Sequence, residues 1–310
     1  MTSVRTFWDV LSNPSRLLER TAYVRSVLSE RKFVAWALQH RARLAPFEND
    51  ANEFAFADST RPFRQAIEAF TAKHARTQEQ LNEFREEFNE YSEMQRNAKI
   101  RLPCEWQDRF PCLDDRASTT PFDRHYTYHP AWAARVLAQT RPAKHIDISS
   151  TINFATLVSA FIPVEFYDYR PAPIALPGLE CGEADLLSLP FADGSIKSLS
   201  CMHVLEHIGL GRYGDKLDPD GDLKAIGELL RVLAPRGDLL IAVPVGKPKV
   251  QFNAHRVYDA IDFSNYFNGV SLIERALIEE SGDRGIIENP SDAQFREQAY
   301  GCGCFWFRKT

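Results

Sequence analysis

No run in the 310 residues is long and apolar enough to cross a bilayer. The longest candidate, Ile152 to Phe166, is interrupted by Asn153, Thr156, Ser159, Pro163 and Glu165, and a spanning helix needs about 20 mostly apolar residues. Met1 to Asn13 lacks a charged start followed by an apolar stretch, so no secretory signal is expected. The six cysteines include no CxxC pair. They read as reduced thiols of a cytoplasmic protein. The net charge of −5 gives no general attraction to nucleic acid, and no internal repeat is visible.

What is present begins with a basic N-terminal segment. Met1 to Pro46 reads as helical, with Asn13 as N-cap and Pro14 in the first turn. Leu17, Thr21, Val24, Leu28, Ala35 and Leu38 form a loose apolar stripe. The surplus of arginine suits a solvated face, or docking to an acidic partner or membrane surface. Phe47 to Ser59 reads as a linker, so residues 1–58 form an N-terminal helical segment and its tether.

Residues 59–100 carry the most regular pattern. Phe63, Ile67, Phe70, His74, Thr77, Leu81, Phe84, Phe88 and Tyr91 alternate spacings of four and three, a heptad seam. Ser59 or Thr60 caps it and Pro62 suits its first turn. A seam with so many phenylalanines needs a partner. Either a second copy supplies it, making residues 62–99 the coiled coil of a homodimer, or the chain's own N-terminal helices do. The looseness of the Met1–Pro46 stripe favours the dimer.

Residues 101–310 read as an α/β domain. A proline-rich loop, Arg101 to Pro121, leads to a helix over Ala131–Gln139. Strands follow at His145–Ile148, Val164–Tyr167, Leu199–His203 and Leu239–Val243, with helices near Asn153–Phe161 and Asp222–Leu233. Val270–Ile278 and Cys304–Arg308 close the pattern as strands. Alternating strands and helices predict a doubly wound, Rossmann-like sheet carrying an N-terminal helical appendage.

The centre of this domain is LPFADGSIKSLSCMHVLEHIG, Leu189 to Gly209. It reads as a turn, a strand buried on both faces and the entry to a helix. The segment resembles the middle of class I S-adenosylmethionine-dependent methyltransferases through Asp185, Leu189-Pro190-Phe191, Asp193-Gly194-Ser195 and Leu205-Glu206-His207. Arg231 to Gly237 and the strand Asp238 to Pro244 extend the likeness. Gly209 to Asp222, VPVG at Val243 and FNAHRVY at Phe252 resemble the narrower DUF268 group.

The resemblance implies S-adenosylmethionine as cofactor, with Asp147, Ser149, Asp168, Asp185 and His203 around it. Asp168 stands where the family places an acid on the ribose hydroxyls, and Asp185 where it meets the adenine amine. The first motif departs from the family: Ser149, Thr151 and Asn153 replace its three glycines. Thr151, being β-branched, fits a glycine turn badly. His207 is the general-base candidate. Tyr213 and His255 are expected at the same mouth.

No metal is expected. HxxEH at His203 is a zinc-peptidase spelling, but His203 ends a strand and cannot share a helix with His207. Cys302 and Cys304 form a CxC with no second ligand pair. The DPDGD run at Asp218 lacks the glutamate of a calcium loop and reads as a helix start. The expected activity is methyl transfer to an oxygen or nitrogen of a polar acceptor, a small molecule, saccharide or glycolipid precursor. The alternative is a methyltransferase-like interaction protein that has lost its donor.

Overall fold

The structure, a computed structural model, describes residues 76–96, 102–113 and 115–310. The chain divides into two compact units, Met1–Thr120 and Pro121–Thr310. The basic segment, the linker and the first half of the heptad seam lie outside the described residues.

In the first unit, residues 76–96 form helix α1. Two of its seam phenylalanines already have a partner in the same chain. Phe84 and Phe88 lie 6.1 and 4.9 Å from the Trp106 ring, and the guanidinium of Arg109 caps that ring at 4.3 Å. The Gln80 amide donates to the Leu113 carbonyl, and Arg116 pairs with Glu87. The proline-rich segment thus folds back on α1, while Leu81 and Tyr91 of the same seam stay exposed. No described helix is long and apolar enough to cross a membrane.

The second unit is built on an eight-stranded sheet. In chain order it comprises α2 (Arg124–Thr140), β1 (His145–Ile148), α3 (Ile152–Val158), β2 (Val164–Asp168), β3 (Leu179–Glu183) and β4 (Ile196–Met202). Next come α4 (Gly221–Val232), β5 (Leu233–Val245), the hairpin β6 (Lys249–Gln251) and β7 (His255–Val257), and α5 (Ala260–Asn265). The chain closes with β8 (Val270–Ile278), β9 (Ile286–Glu288), α6 (Asp292–Arg296) and β10 (Gly301–Lys309).

The sheet order is β3-β2-β1-β4-β5-β10-β8-β9. The first five strands are parallel, and β10, β8 and β9 continue antiparallel. The order 3-2-1-4-5 is that of the doubly wound fold, and its direction reverses between β1 and β4. Each face is covered. Ala225, Ile226 and Leu229 of α4 pack with Leu199, Ile241 and Phe305 on one side. Trp132 and Val136 of α2 and Phe154 of α3 pack with Val164, Leu240 and Trp306 on the other.

Local chemistry explains where the elements differ from the sequence pattern. The helix expected over Ala131–Gln139 begins at Arg124, because the Asp123 side chain accepts the Tyr126 N–H as N-cap and Pro130 is tolerated inside. The Arg124 guanidinium ties that first turn to the carbonyls of Glu279, Gly282 and Arg284. Strand β3 has no strong pattern because it is an edge, hydrogen-bonded only to β2. The LPF turn is fastened to α4 by Arg231, which donates to the Leu189 and Phe191 carbonyls and pairs with Asp193 and Glu228. The two separated sequence matches are therefore one mechanical unit.

Candidate functional site

Two features meet at the carboxyl ends of β1, β2 and β4, where an open parallel sheet binds ligands. The first is a cavity of about 330 Å³ whose walls include Ser150, Thr151, Asn153, Phe166, Asp168 and Arg170. Its floor is the glycine-poor turn. Ser149 takes φ 54°, the left-handed conformation a glycine would supply, and donates its N–H to the Tyr167 carbonyl at 2.7 Å. Thr151 is extended, and its hydroxyl accepts the Phe154 N–H as N-cap of α3. The strain expected of a β-branched residue does not arise, since the left-handed residue is Ser149 alone in this turn. Asp168 lines the cavity and accepts the Arg170 N–H at 2.8 Å.

The other residues expected around the donor stand elsewhere. Asp147 is wholly buried between β1 and β4, where its carboxylate accepts the Ser200 hydroxyl. His145 continues that chain, with its ring nitrogens 2.8 Å from the hydroxyls of Ser198 and Ser200. Burial pushes Asp147 up to about 7 and His145 down to about 3. Asp185 is exposed and accepts the Leu187 N–H at 2.9 Å, outside the cavity wall.

The second feature is aromatic and basic. Five of the eight histidines gather here: His125, His129, His203, His207 and His255. His203 follows β4 at φ 57° and turns inward. Its Nδ1 is 2.9 Å from Glu206 Oε1, and the rings of His125, Tyr126 and His129 lie within 5.5 Å of its own. Burial opposes charge on His203, but Cys302 and Glu206 more than restore it, to about 10.

The three residues expected to face an acceptor do come together. His207 meets Tyr213 edge-on at 5.7 Å and His255 at 6.5 Å. His207 Nδ1 lies 2.6 Å from the Ala254 carbonyl and 3.2 Å from the Arg212 guanidinium, which donates to the same carbonyl; the shorter contact, to an acceptor, calls for the proton on Nδ1 and a lone pair on Nε2. Burial lowers its pKa, partly offset by Glu206. His255 packs on Tyr300 at 4.9 Å.

Two links join the cavity to the cluster. The Ser150 hydroxyl, on the cavity wall, accepts the Met202 N–H one residue before His203. The Arg170 guanidinium, also on the wall, lies 4.8 Å over the Tyr213 ring. Tyr213 is held by a loop whose carboxylates are engaged structurally. Asp215 accepts the N–H groups of Gly209, Gly211 and Tyr213. Asp222, in the first turn of α4, accepts the Tyr258 hydroxyl and faces Arg256. Arg256 clamps the loop through the carbonyls of Ile208 and Pro219.

Gly209 is indispensable to this path. It sits at φ +80°, and a Cβ there would lie 2.1 Å from the Asp218 carbonyl oxygen. Gly209→Ala is expected to cost at least about 1–3 kcal/mol, from the left-handed backbone alone. Urea denaturation checks this, and an unchanged midpoint would contradict the loop geometry.

Sequence reasoning missed His125, His129 and Tyr300, and set Cys302 aside as part of a CxC with no second ligand pair. The available signal was the i, i+4 spacing of the two histidines, which puts both on one helical face. Nothing in the sequence alone says that this face meets His203.

Residues 193–290 match the family described as Caenorhabditis protein of unknown function, DUF268. Comparison with curated proteins gave no match. Among solved structures, the chain is similar to the N-methyltransferase NodS from Bradyrhizobium japonicum WM9 with S-adenosyl-L-homocysteine (TM-score 0.40, 15% identity, 58% of this chain and 85% of that one). It is also similar to the 1,6-didemethyltoxoflavin-N1-methyltransferase of Burkholderia thailandensis (TM-score 0.43, 12% identity, 61% and 80%). A third is the TehB-like SAM-dependent methyltransferase from Corynebacterium glutamicum ATCC 13032 (TM-score 0.38, 17% identity, 57% and 87%). At such scores, the sheet order itself carries the fold class.

Proposed function

We propose that this chain, of DUF268 type over residues 193–290, is an S-adenosylmethionine-dependent methyltransferase acting on an oxygen or nitrogen of a polar acceptor. The observation that carries the reading is the Asp168-lined cavity at the ends of β1 and β2, joined through Ser150 and Arg170 to the His207–Tyr213–His255 cluster. The cavity falls within the size range of small-molecule sites. The turn at Ser149 passes it with Ser149 alone in the left-handed region and Thr151 extended.

S-adenosylmethionine, when bound, supplies a methyl group on a sulfonium, already a good leaving group. The protein's task is then to hold and align. Asp168 offers a carboxylate to a vicinal diol. Ser150, Asn153 and Arg170 set the walls. His207 Nε2, unprotonated, accepts the proton that the acceptor's N–H or O–H gives up. Tyr213, Arg212 and His255 offer polar edges to the acceptor, a lining suited to hydroxyl-rich molecules such as saccharides.

Calorimetry with S-adenosylhomocysteine tests the reading. Asp168→Ala is expected to weaken binding by about 1.5–3 kcal/mol, or roughly 10–150-fold, if the carboxylate accepts the diol. The placement of Asp147 and Asp185 outside the cavity favours a second reading, a donor-less interaction domain. No heat from the wild type at millimolar ligand would select that second reading.

A further inference from the structure

Within the aromatic and basic cluster, three ligating side chains converge that the proposed methyl transfer does not use. One ligating atom each from His125, His203 and Cys302 lies within 4.8 Å of the others, and all three residues are buried. They come from three separate places in the fold: the first turn of α2, the residue just after β4 and the second residue of β10.

The surroundings fix these side chains as ligands would be fixed. His203 Nδ1 faces Glu206, leaving Nε2 buried with no hydrogen-bond partner. A carboxylate on the far nitrogen of a ligating histidine is the common outer-shell arrangement of metal sites. Next to it, wholly buried His129 places Nδ1 2.7 Å from the His125 carbonyl, and its Nε2 is likewise unpartnered. Unpartnered buried polar atoms are costly and call for an explanation. Glu206 Oε2 is a third such atom.

We propose that His125, His203 and Cys302 bind a single Zn²⁺ ion. Two imidazoles and a thiolate are a donor set that suits zinc. On binding, two protons leave: the Cys302 thiol gives up its own and the sulfur donates a pair to the metal, and the His203 imidazolium gives up the Nε2 proton, donates from Nε2 and keeps its Nδ1 proton on Glu206. The two positive charges of the ion are balanced by the Cys302 thiolate and the Glu206 carboxylate. A buried ion is therefore left with no net charge uncompensated. Three protein ligands leave one tetrahedral position for water or for an acceptor heteroatom. His129 Nε2 is placed to accept a hydrogen bond beside it. Neither Cys304 nor His207 belongs to the set.

The site stands whether or not methyl transfer is the reaction, and its test reads metal rather than turnover. Full-length protein purified without chelator should carry zinc in a one-to-one ratio by mass spectrometry. After removal of the zinc, Co²⁺ should produce a thiolate-to-cobalt charge-transfer band. Cys302→Ser should abolish the band and weaken Co²⁺ binding at least 100-fold, while Cys304→Ser should keep both. A wild type that takes up Co²⁺ without the band, or takes up none at micromolar protein, overturns the site. So does a Cys302→Ser protein that binds as the wild type does. If Cys302→Ser fails to fold, His125→Ala on the helix is the second variant, with the same loss expected and retention contradicting the proposal. Binding heat from S-adenosylhomocysteine on the same samples reads the donor cavity separately.

Discussion

His207→Gln is expected to lower the methyl-transfer rate by roughly 10²–10⁴-fold, the range for loss of a positioned general base. The Ala254 carbonyl holds the imidazole proton on Nδ1, so Nε2 is the basic nitrogen, and burial keeps the ring neutral. Glutamine preserves size and can still donate to Ala254, but it cannot take a proton. The loss should therefore fall on kcat, with donor affinity unchanged in calorimetry. An acceptor-dependent assay of demethylated product checks it. Turnover equal to that of the wild type would remove His207 from the mechanism.

The second large effect concerns stability and belongs to the buried line Ser198–His145–Ser200–Asp147. Asp147 is held near 7 by burial, against 3.8 for the free side chain. Between those values the unfolded chain ionises while the folded one keeps its proton, so stability falls as pH rises. His145 is held near 3 against 6.5. Between those values the unfolded chain binds the proton and the folded one does not, so stability rises with pH. The two slopes oppose each other from about pH 4 to pH 6.5 and nearly cancel. Above pH 7 the full Asp147 penalty remains, about 4 kcal/mol at about 1.4 kcal/mol per pH unit. Asp147→Asn removes it. The variant should match the wild type near pH 4 and exceed it at pH 8 by up to about 4 kcal/mol, less the value of the altered Ser200 bond. Urea melts at the two pH values decide. A stability difference that does not change with pH would mean that Asp147 is not held protonated.

The ladder also shows what kind of information a sequence holds. His145-Ile146-Asp147-Ile148 is legible as a strand, and the LPF turn and β4 are legible from their punctuation and apolar run. The chemistry of Asp147 is not legible, because it depends on Ser200, a residue more than fifty positions away that the β1–β4 pairing brings alongside. Ser149–Asn153 shows the reverse. Read letter by letter, the turn lacks three glycines, yet the backbone requires a left-handed residue only at Ser149. Thr151 then does work that glycine could not, capping α3 with its hydroxyl.

His207, Tyr213 and His255 were singled out because each lies in a run with its own pattern, and the fold brings those three side chains together. His125 and His129 were hidden for a matching reason: they lie before Pro130, which hides the true start of α2. Cys302 was visible as half of a CxC, but nothing in the sequence places it beside His125 and His203. The heptad seam is the remaining case. Its period is plain in the sequence, and within the described residues Trp106 covers Phe84 and Phe88. A partner for a helical face can thus come from a proline-rich segment with no helical pattern of its own.

The most direct test of the account is a crystal structure of the full chain grown with S-adenosylhomocysteine. The expected result is the nucleoside in the cavity at the ends of β1 and β2, its ribose hydroxyls on the Asp168 carboxylate and its sulfur toward His207. Ligand bound elsewhere on the domain, or an empty cavity at saturating ligand, would contradict it.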